Sequence, residues 1–155
     1  MMSETRWLSD DEAQSWYAVI AMLMKVPALL DAQLQRDSGI SHFDYGILVL
    51  LSEAPGAQLQ MSSLAGRANG SLSRLSHAVK KLEERGWVTR SVNKGDGRLT
   101  DATLTADGRA KLEATAPGHV ATARRLVVDA LSPAQLKQLG RLSRTIVANL
   151  DDADH

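Results

Sequence analysis

The stretch that decides the fold is residues 71–104, SLSRLSHAVKKLEERGWVTRSVNKGDGRLTDATL. Apolar residues recur at helical spacing through its first half, and Gly86 follows at the position where glycine commonly ends a helix. After Gly86 the pattern becomes extended, with two short β-like runs, 87–92 and 99–104, around a glycine-rich turn. The stretch therefore predicts a helix over 71–85 followed directly by a β-hairpin.

Another helix is predicted immediately before this stretch. Residues 61–68 have helical spacing, and Asn69-Gly70 is a turn sequence between the two helices. Two helices joined by a short turn and followed by a hairpin form the pattern of a winged helix-turn-helix, in which the hairpin is the wing.

Further helices are predicted on the N-terminal side. Ser9 and Glu12 are spaced as a capping box that begins a long helix. Pro27 is expected to kink or break this helix, and Gly39 is expected to end it. A separate helix follows over 42–53, capped by the serine before it.

The C-terminal side is also predicted to be helical. Thr105 begins a long helix that runs to Leu131 with a bend at Pro117-Gly118, and Ser132-Pro133 begins the last helix. The predicted fold class is mainly α with a small β-hairpin wing. At this length the chain is expected to form a single domain, 1–155.

Charge is distributed unevenly along the chain. The 18 basic and 18 acidic residues cancel overall, yet residues 60–100 contain eight basic and three acidic residues, a net charge of +5 against −5 elsewhere. A basic block inside a neutral chain is typical of a domain that meets a polyanion through one face. A solvated helix face would show the same charge, so the surrounding motifs must decide.

The predicted helix 71–85 has two different sides. The apolar side carries Leu72, Leu75, Val79 and Leu82, and the polar side carries Ser73, Arg74, His77 and Lys81 with Lys80 on its flank. A DNA major groove admits one helix, and residues near the N-terminus of that helix contact base edges. Arg74 suits a guanine or a phosphate, and His77 suits either. Ser71 and Ser73 suit phosphates near the helix start.

The turn of the predicted hairpin carries Lys94, Asp96 and Arg98. A long arginine beside a flexible turn can enter a narrow, electronegative minor groove. Asp96 has two roles open to it, orienting Arg98 through a salt bridge or favouring the turn.

The outermost helices carry apolar stripes with little partner surface inside one small domain. A second copy of the chain would bury these stripes, because large exposed apolar patches are rare on monomers. The alternative is that they close a single core.

Several other classes of protein fit the sequence poorly. The chain has no cysteine, and its four histidines lack metal-ligand spacing, so neither a thiolate metal site nor another metal site is expected. No nucleophile elbow or P-loop is present, and no enzyme activity or cofactor is predicted. The N-terminus is polar and acidic, and the longest apolar stretch, 17–24, is too short to cross a bilayer. A cytoplasmic protein without a membrane segment is therefore expected.

Four short motifs carry a family resemblance: Leu64-Ala65-x-Arg67, Leu82-Glu83-x-Arg85-Gly86-x-Val88, Asp96-x-Arg98 and Leu104-Thr105-x-x-Gly108. In this combination the chain resembles the multiple antibiotic resistance regulator (MarR) family of winged-helix transcription factors. The chain has Ser76-His77 where the family often has Thr-Arg, and Gly97 where the family often has Arg.

The resemblance implies a homodimer built from helices over 9–36 and 105–150, with a winged helix-turn-helix over 41–104 in each protomer. It also implies a repressor that binds double-stranded DNA at a palindromic operator and is released by small, frequently aromatic, anions. The resemblance places Ser71, Ser73, Arg74 and His77 in the DNA-binding helix and makes Arg98 the wing arginine. The thiol-sensing branch of the family is excluded, since it needs cysteine.

An effector site cannot be assigned to residues. Trp16, Tyr17, His42 and Tyr45 are polar aromatic residues suited to lining a pocket, but packing in the core or a dimer interface explains them better. The competing function is a winged-helix module for protein–protein assembly, in which the basic face is only solvated.

Overall fold

The computed structural model describes residues 5–153, and its helices begin and end close to the predicted caps. The helices are α1 (Asp10–Ser38), α2 (His42–Glu53), α3 (Met61–Arg67), α4 (Leu72–Glu84), α5 (Ala106–Leu126) and α6 (Pro133–Ala153), and the strands are β1 (Gln58–Gln60), β2 (Val88–Val92) and β3 (Thr100–Leu104). Short 3-10 turns lie at Pro55–Ala57 and Val128–Ala130. The predicted mainly α fold with a hairpin wing is confirmed.

Helix α1 is capped at both ends. The Ser9 side chain accepts a hydrogen bond from the Glu12 backbone N–H, and the Glu12 carboxylate accepts one from the Ser9 backbone N–H. Gly39 ends the helix in the left-handed region, with φ 62°. Of the kink or break expected at Pro27, the break is wrong, because α1 continues through this residue. Proline removes one donor and strains one turn, which a long helix with capped ends tolerates.

Helix α1 contains more apolar residues over its full length than the stretch 17–24 alone indicates. By length and composition it could cross a membrane, which the sequence-based expectation had excluded. One helix of this kind is weak evidence for a membrane segment, because core helices and signal sequences pass the same test.

The sheet contains a strand that the sequence analysis missed. The strand order is β1-β3-β2, and both pairs are antiparallel. In the register, Ala102 of the central strand lies opposite Leu59 on one side and Arg90 on the other. Strand β1 has three residues, two of them glutamines, so it shows no apolar alternation that would have predicted it.

The core lies between the helix-turn-helix, α2 and the sheet. Its largest fully buried side chains are Leu34, Ile47, Leu48, Leu51, Leu64, Leu75, Val79, Leu82 and Val88. The prediction that Leu72 belongs to the apolar side is wrong, since this residue is 55% exposed. Leu72 is the first residue of α4, where no preceding helical turn covers it, and Ala78 is the small residue buried with Leu75 and Val79 instead.

Two cations attach the end of α1 to α4 and α5. The Arg85 guanidinium donates to the Gly39 carbonyl (3.0 Å), and the Lys111 ammonium donates to the Ser38 carbonyl (2.6 Å). The guanidinium carbon of Arg85 lies 4.8 Å, and the ammonium nitrogen of Lys111 lies 5.2 Å, from a ring centroid of Trp87. Cations stabilise the carbonyl end of a helix, so these contacts position α4 relative to α1.

The chain divides into two compact units between residues 117 and 118. Helix α5 was predicted to reach Leu131, but it ends at Leu126 and a 3-10 turn follows. In the second unit, Ser132 and Gln135 form the reciprocal hydrogen bonds of a cap at the start of α6.

Candidate nucleic-acid interface

The turn between α3 and α4 depends on a close approach by Phe43 of α2. A Cβ atom on Gly70 would lie 3.0 Å from the Phe43 Cζ atom, so a larger residue would displace the ring. The preceding Asn69 has φ 53°, in the left-handed region that asparagine tolerates better than most residues. The predicted Asn69-Gly70 turn is present. Its second residue is glycine because the Phe43 ring leaves little room for a side chain there.

Ser71 is the N-cap of α4. Its side-chain oxygen accepts a hydrogen bond from the Arg74 backbone N–H at 3.1 Å. A hydroxyl that accepts one hydrogen bond still has a proton to donate, so capping leaves Ser71 able to reach a phosphate. The exposed start of α4 also presents backbone N–H groups and the positive end of the helix dipole, both of which favour an anion.

The exposed side of α4 carries Ser73, His77 and Lys80, opposite the buried residues Leu75 and Val79. This side combines a hydroxyl, an imidazole and an ammonium group, which are donors suited to phosphates and base edges. The structure therefore places these three predicted residues together on one side of a single helix.

Arg74 lies beside this exposed side and is stacked on α2. The guanidinium carbon of Arg74 is 3.9 Å from the centroid of the Phe43 ring. The flat ring restricts where the guanidinium can point, and such stacking still leaves N–H groups at the edge of the guanidinium for hydrogen bonding. Arg74 is thus oriented beside the exposed side of α4 by Phe43, an aromatic partner that the sequence pattern does not predict.

Lys81 is tied to α2 as well. Its ammonium group lies 3.2 Å from the Asp44 carboxylate, whose side chain is only 12% exposed. The helical spacing predicts Lys81 among the exposed groups of α4, and in the structure its side chain is half exposed but also paired on the flank of the helix. No local signal could have revealed this pair, because 37 positions separate the two residues.

The wing presents an oriented arginine. The Arg98 side chain donates to both carboxylate oxygens of Asp96, at 3.1 Å each, and the Arg98 backbone N–H donates to the same group. These hydrogen bonds hold the pKa of Asp96 below its usual value. The bonds from the Arg98 side chain have the larger effect, and the bond from its backbone N–H has the smaller one. The Arg98 side chain is nevertheless 89% exposed, and Lys94 is exposed in the same turn.

A second ion pair joins the wing to α4. Arg90 of β2 donates to the Glu83 carboxylate through both its side chain and its backbone N–H, at 3.1 and 3.0 Å. These bonds hold the pKa of Glu83 below its usual value, with the side-chain bond the larger cause. The wing strand and the end of α4 are therefore connected by a charged contact.

The four aromatic residues considered for an effector pocket do not come together within one chain. Trp16 and Tyr17 are exposed on α1, whereas His42 is half-buried and Tyr45 is buried on α2. The His42 backbone N–H donates to Asp31 of α1. At a rise of about 1.5 Å per residue, Trp16 lies about 22 Å along the helix from Asp31.

Comparisons with known proteins agree with this geometry. The sequence pattern that defines the MarR family matches residues 40–100. The structure is similar to that of Sco3205, a MarR family transcriptional regulator from Streptomyces coelicolor in complex with DNA, with 44% identity and a TM-score of 0.91 over 95% of this chain and 92% of that one.

Two curated proteins show similarity at the sequence level. The HTH-type transcriptional repressor Rv2887 of Mycobacterium tuberculosis is 33% identical over 124 residues, which cover 78% of this chain and 87% of that protein. The HTH-type transcriptional repressor YetL of Bacillus subtilis is 33% identical over 81 residues, which cover 52% of this chain and only 48% of that protein. These matches extend beyond the winged segment, and they are to regulators rather than to enzymes. The chain is a member of the MarR family of transcriptional regulators.

Proposed function

We propose that this chain is a cytoplasmic, homodimeric repressor that binds double-stranded DNA at a palindromic operator. The observation that carries the proposal is the exposed side of α4, where Ser73, His77 and Lys80 lie together with the stacked Arg74 beside them. In the proposed complex α4 enters the major groove and Arg98 of the wing enters the minor groove. The DNA complex of Sco3205 and the repressor names of the curated relatives support this proposal.

The proposal divides the chain by role. Residues 41–104 bind DNA, and residues 9–36 and 105–150 form the dimer interface. Ser71 and Lys94 contact phosphates together with Lys80, and Lys81 adds to the positive potential from its place beside Asp44. A small aromatic or anionic effector releases the repressor from DNA, at a site to which no residues are assigned.

Exposed apolar side chains support the dimer. On α1 these are Trp16, Tyr17, Leu23 and Met24, and on α6 they are Leu142, Ile146, Val147 and Leu150, all between 46% and 70% exposed. Each helix thus leaves several large apolar side chains in water, and their burial against a partner is favourable. A second copy of the chain is the partner whose matching helices would cover these side chains.

The dimer predicts a particle of twice the chain mass of 16.8 kDa in sedimentation equilibrium. Ile146→Asp is expected to shift the particle towards the monomer, because a carboxylate would be buried in the apolar contact. Ala148→Asp is the matched control, since Ala148 is also exposed but lies about 160° around α6 from Ile146 at 100° per residue. Equal masses for the wild type and Ile146→Asp would contradict the assignment of α6 to the interface.

DNA binding is tested by selecting a duplex from random DNA and measuring its affinity at several salt concentrations. If Lys80 and Lys94 of both protomers neutralise four phosphates, the logarithm of the association constant falls against the logarithm of salt concentration with a slope of about −3.6. Lys80→Ala removes two of these contacts per dimer and is expected to reduce the slope by about 1.8. Half-sites about 10–10.5 base pairs apart would match a two-fold dimer.

The control for this experiment is Arg6→Ala, which removes the same charge from an exposed position outside the segments assigned to DNA binding and to the dimer. It is expected to leave the slope unchanged. A wild-type protein that selects no duplex even at low salt would contradict the repressor proposal and would favour the protein–protein assembly module instead.

A further inference from the structure

A buried carboxylate lies in the sheet of the wing. Asp101 of β3 is only 4% exposed, although its cross-strand neighbours, Gln60 and Ser91, are polar. Its carboxylate accepts hydrogen bonds from the side-chain amides of Gln58 (2.6 Å) and Asn93 (3.0 and 3.1 Å). Among residues 5–153, no lysine or arginine forms an ion pair with Asp101.

Stability alone does not explain this residue. Removing a carboxylate from water costs several kcal/mol, and neutral amide donors compensate less well than a cation does. Even complete buried ion pairs can often be replaced by apolar side chains of similar size without loss of stability. An aspartate at this position is therefore expected to contribute something other than stability.

The contacts of Asn93 indicate what that contribution is. An amide nitrogen only donates and an amide oxygen only accepts, whereas a carboxylate only accepts. Asp101 therefore holds the nitrogen of the Asn93 amide towards the sheet and turns its oxygen towards the wing turn. There the oxygen accepts from the backbone N–H groups of Gly95 (2.8 Å) and Asp96 (3.0 Å).

These contacts form a continuous chain that ends at the wing arginine. It starts at Gln58 in β1, passes through Asp101 and Asn93 to the backbone of Asp96, and the Asp96 carboxylate then holds Arg98. This series of hydrogen bonds connects the edge of the sheet, which packs against the helices, to the Arg98 guanidinium, which is almost fully exposed.

We propose that Asp101 is a positioning residue for DNA binding, which fixes the Asn93 amide and through it the place where Arg98 meets DNA. The inference rests on the proposed DNA-binding function, but it makes a separate claim about the free protein. Asp101 itself does not touch DNA. Its effect passes through the conformation of the turn over 93–98.

The test uses Asp101→Leu, which keeps a similar volume and removes the acceptor. Thermal stability is expected to change little, because Gln58 is exposed and Asn93 is half-buried, so that their amides can donate to water instead. Affinity for the selected duplex is expected to fall about tenfold, the equivalent of one charged hydrogen bond. In the Asp101→Leu background, Arg98→Ala is expected to cause little further loss, because the two residues act in one chain of contacts. Losses that multiply in the double variant, or unchanged affinity in Asp101→Leu, would overturn the inference.

Hydrogen exchange provides a readout without DNA. The amide protons of Gly95 and Asp96 are expected to exchange about tenfold faster in Asp101→Leu, since each loses its oriented acceptor. Gln60→Leu is the matched control, because Gln60 lies opposite Asp101 in the sheet but donates to Ser62. Unchanged exchange at both amides in Asp101→Leu would overturn the inference even if DNA binding were weakened.

A second variant covers the case in which the leucine variant does not fold. Asp101→Asn keeps the shape but has one acceptor oxygen instead of two, so a smaller change in the same direction is expected in both measurements. If the wild type selects no DNA while exchange at Gly95 and Asp96 responds to Asp101, the proposed function fails and the role of Asp101 in the turn stands.

Discussion

Replacing Gly108 by alanine is expected to destabilise the protein by about 3 kcal/mol or more, the upper end of the range for overpacked sites. A Cβ atom at this position would lie 2.1 Å from the Trp87 carbonyl oxygen and 2.7 Å from the Leu104 Cδ1 atom. The carbonyl cannot move away freely, because it accepts a hydrogen bond from the Thr105 backbone N–H at 3.0 Å. Relief of the clash therefore requires the start of α5 to shift away from the sheet.

Thermal unfolding followed by circular dichroism measures this effect. A loss of this size corresponds to a fall in melting temperature of roughly 6–12 °C for a chain of this length. Gly66→Ala is the matched control: Gly66 is also helical, but a Cβ there would meet nothing within 4 Å. This change is expected to stabilise the protein by up to about 1 kcal/mol, since alanine favours helix. Similar melting temperatures for the two variants would show that the close approach at Gly108 is unimportant.

The same contacts explain why threonine and glycine occur together in the motif Leu104-Thr105-x-x-Gly108. The Thr105 hydroxyl donates to the Gly86 carbonyl and accepts from the Gly108 backbone N–H. It thereby caps α5 and ties it to the loop that follows α4. Glycine then lets the first turn of α5 lie against the Trp87 carbonyl.

Replacing Arg74 by alanine is expected to weaken binding to the selected duplex by about 1–3 kcal/mol, the value of a bidentate contact to a guanine. If Arg74 contacts a base rather than a phosphate, as proposed for this prediction, the sequence preference at one position of each half-site is also expected to relax. Arg98→Ala is expected to weaken binding to selected and unrelated duplexes alike, since a minor-groove arginine responds to groove width and potential. Selection from random DNA, repeated with each variant, measures both effects.

Two controls separate orientation from charge. Phe43→Leu keeps Arg74 but removes the ring that lies 3.9 Å from its guanidinium, so a broader sequence preference with a smaller loss of affinity is expected. Arg6→Ala removes an arginine from an exposed position before α1, outside the segments assigned to DNA binding and to the dimer, and is expected to leave the preference unchanged. An unaltered preference in Arg74→Ala, or the same affinities and preferences for Arg74→Ala and Arg98→Ala, would contradict the roles given to these residues.

Local signals were sufficient to predict most helix boundaries. Ser9 with Glu12, and Gly39, mark the ends of α1 because caps satisfy backbone groups within the adjoining turn. Gly86 has φ 78°, a backbone conformation that residues with a Cβ atom rarely adopt, so a glycine at this position marks the end of α4 in the sequence. In each case the physical cause lies within a few residues of the boundary.

Features that depend on distant parts of the chain were missed. Strand β1 exists because it pairs with β3, whose partner residues are more than 40 positions away. The partner of Lys81 is on α2, and the acceptor that orients Asn93 is buried by the folding of the sheet. Neither propensity nor periodicity contains information about such pairs, because each depends on which elements meet after packing.

Sequence alone thus determined the order of the six helices and the hairpin, the position of the basic segment and the family to which the chain belongs. Caps, glycines and hydrophobic spacing act over one or two helical turns, and the family motifs are contiguous in the chain. Tertiary structure decided which groups are held and which are exposed: Arg74 is stacked on Phe43, Lys81 is paired with Asp44, and Arg98 is oriented through Asp96. The physical reason is that hydrogen bonds and ion pairs require distances of a few ångströms, which only the packing of separate elements creates.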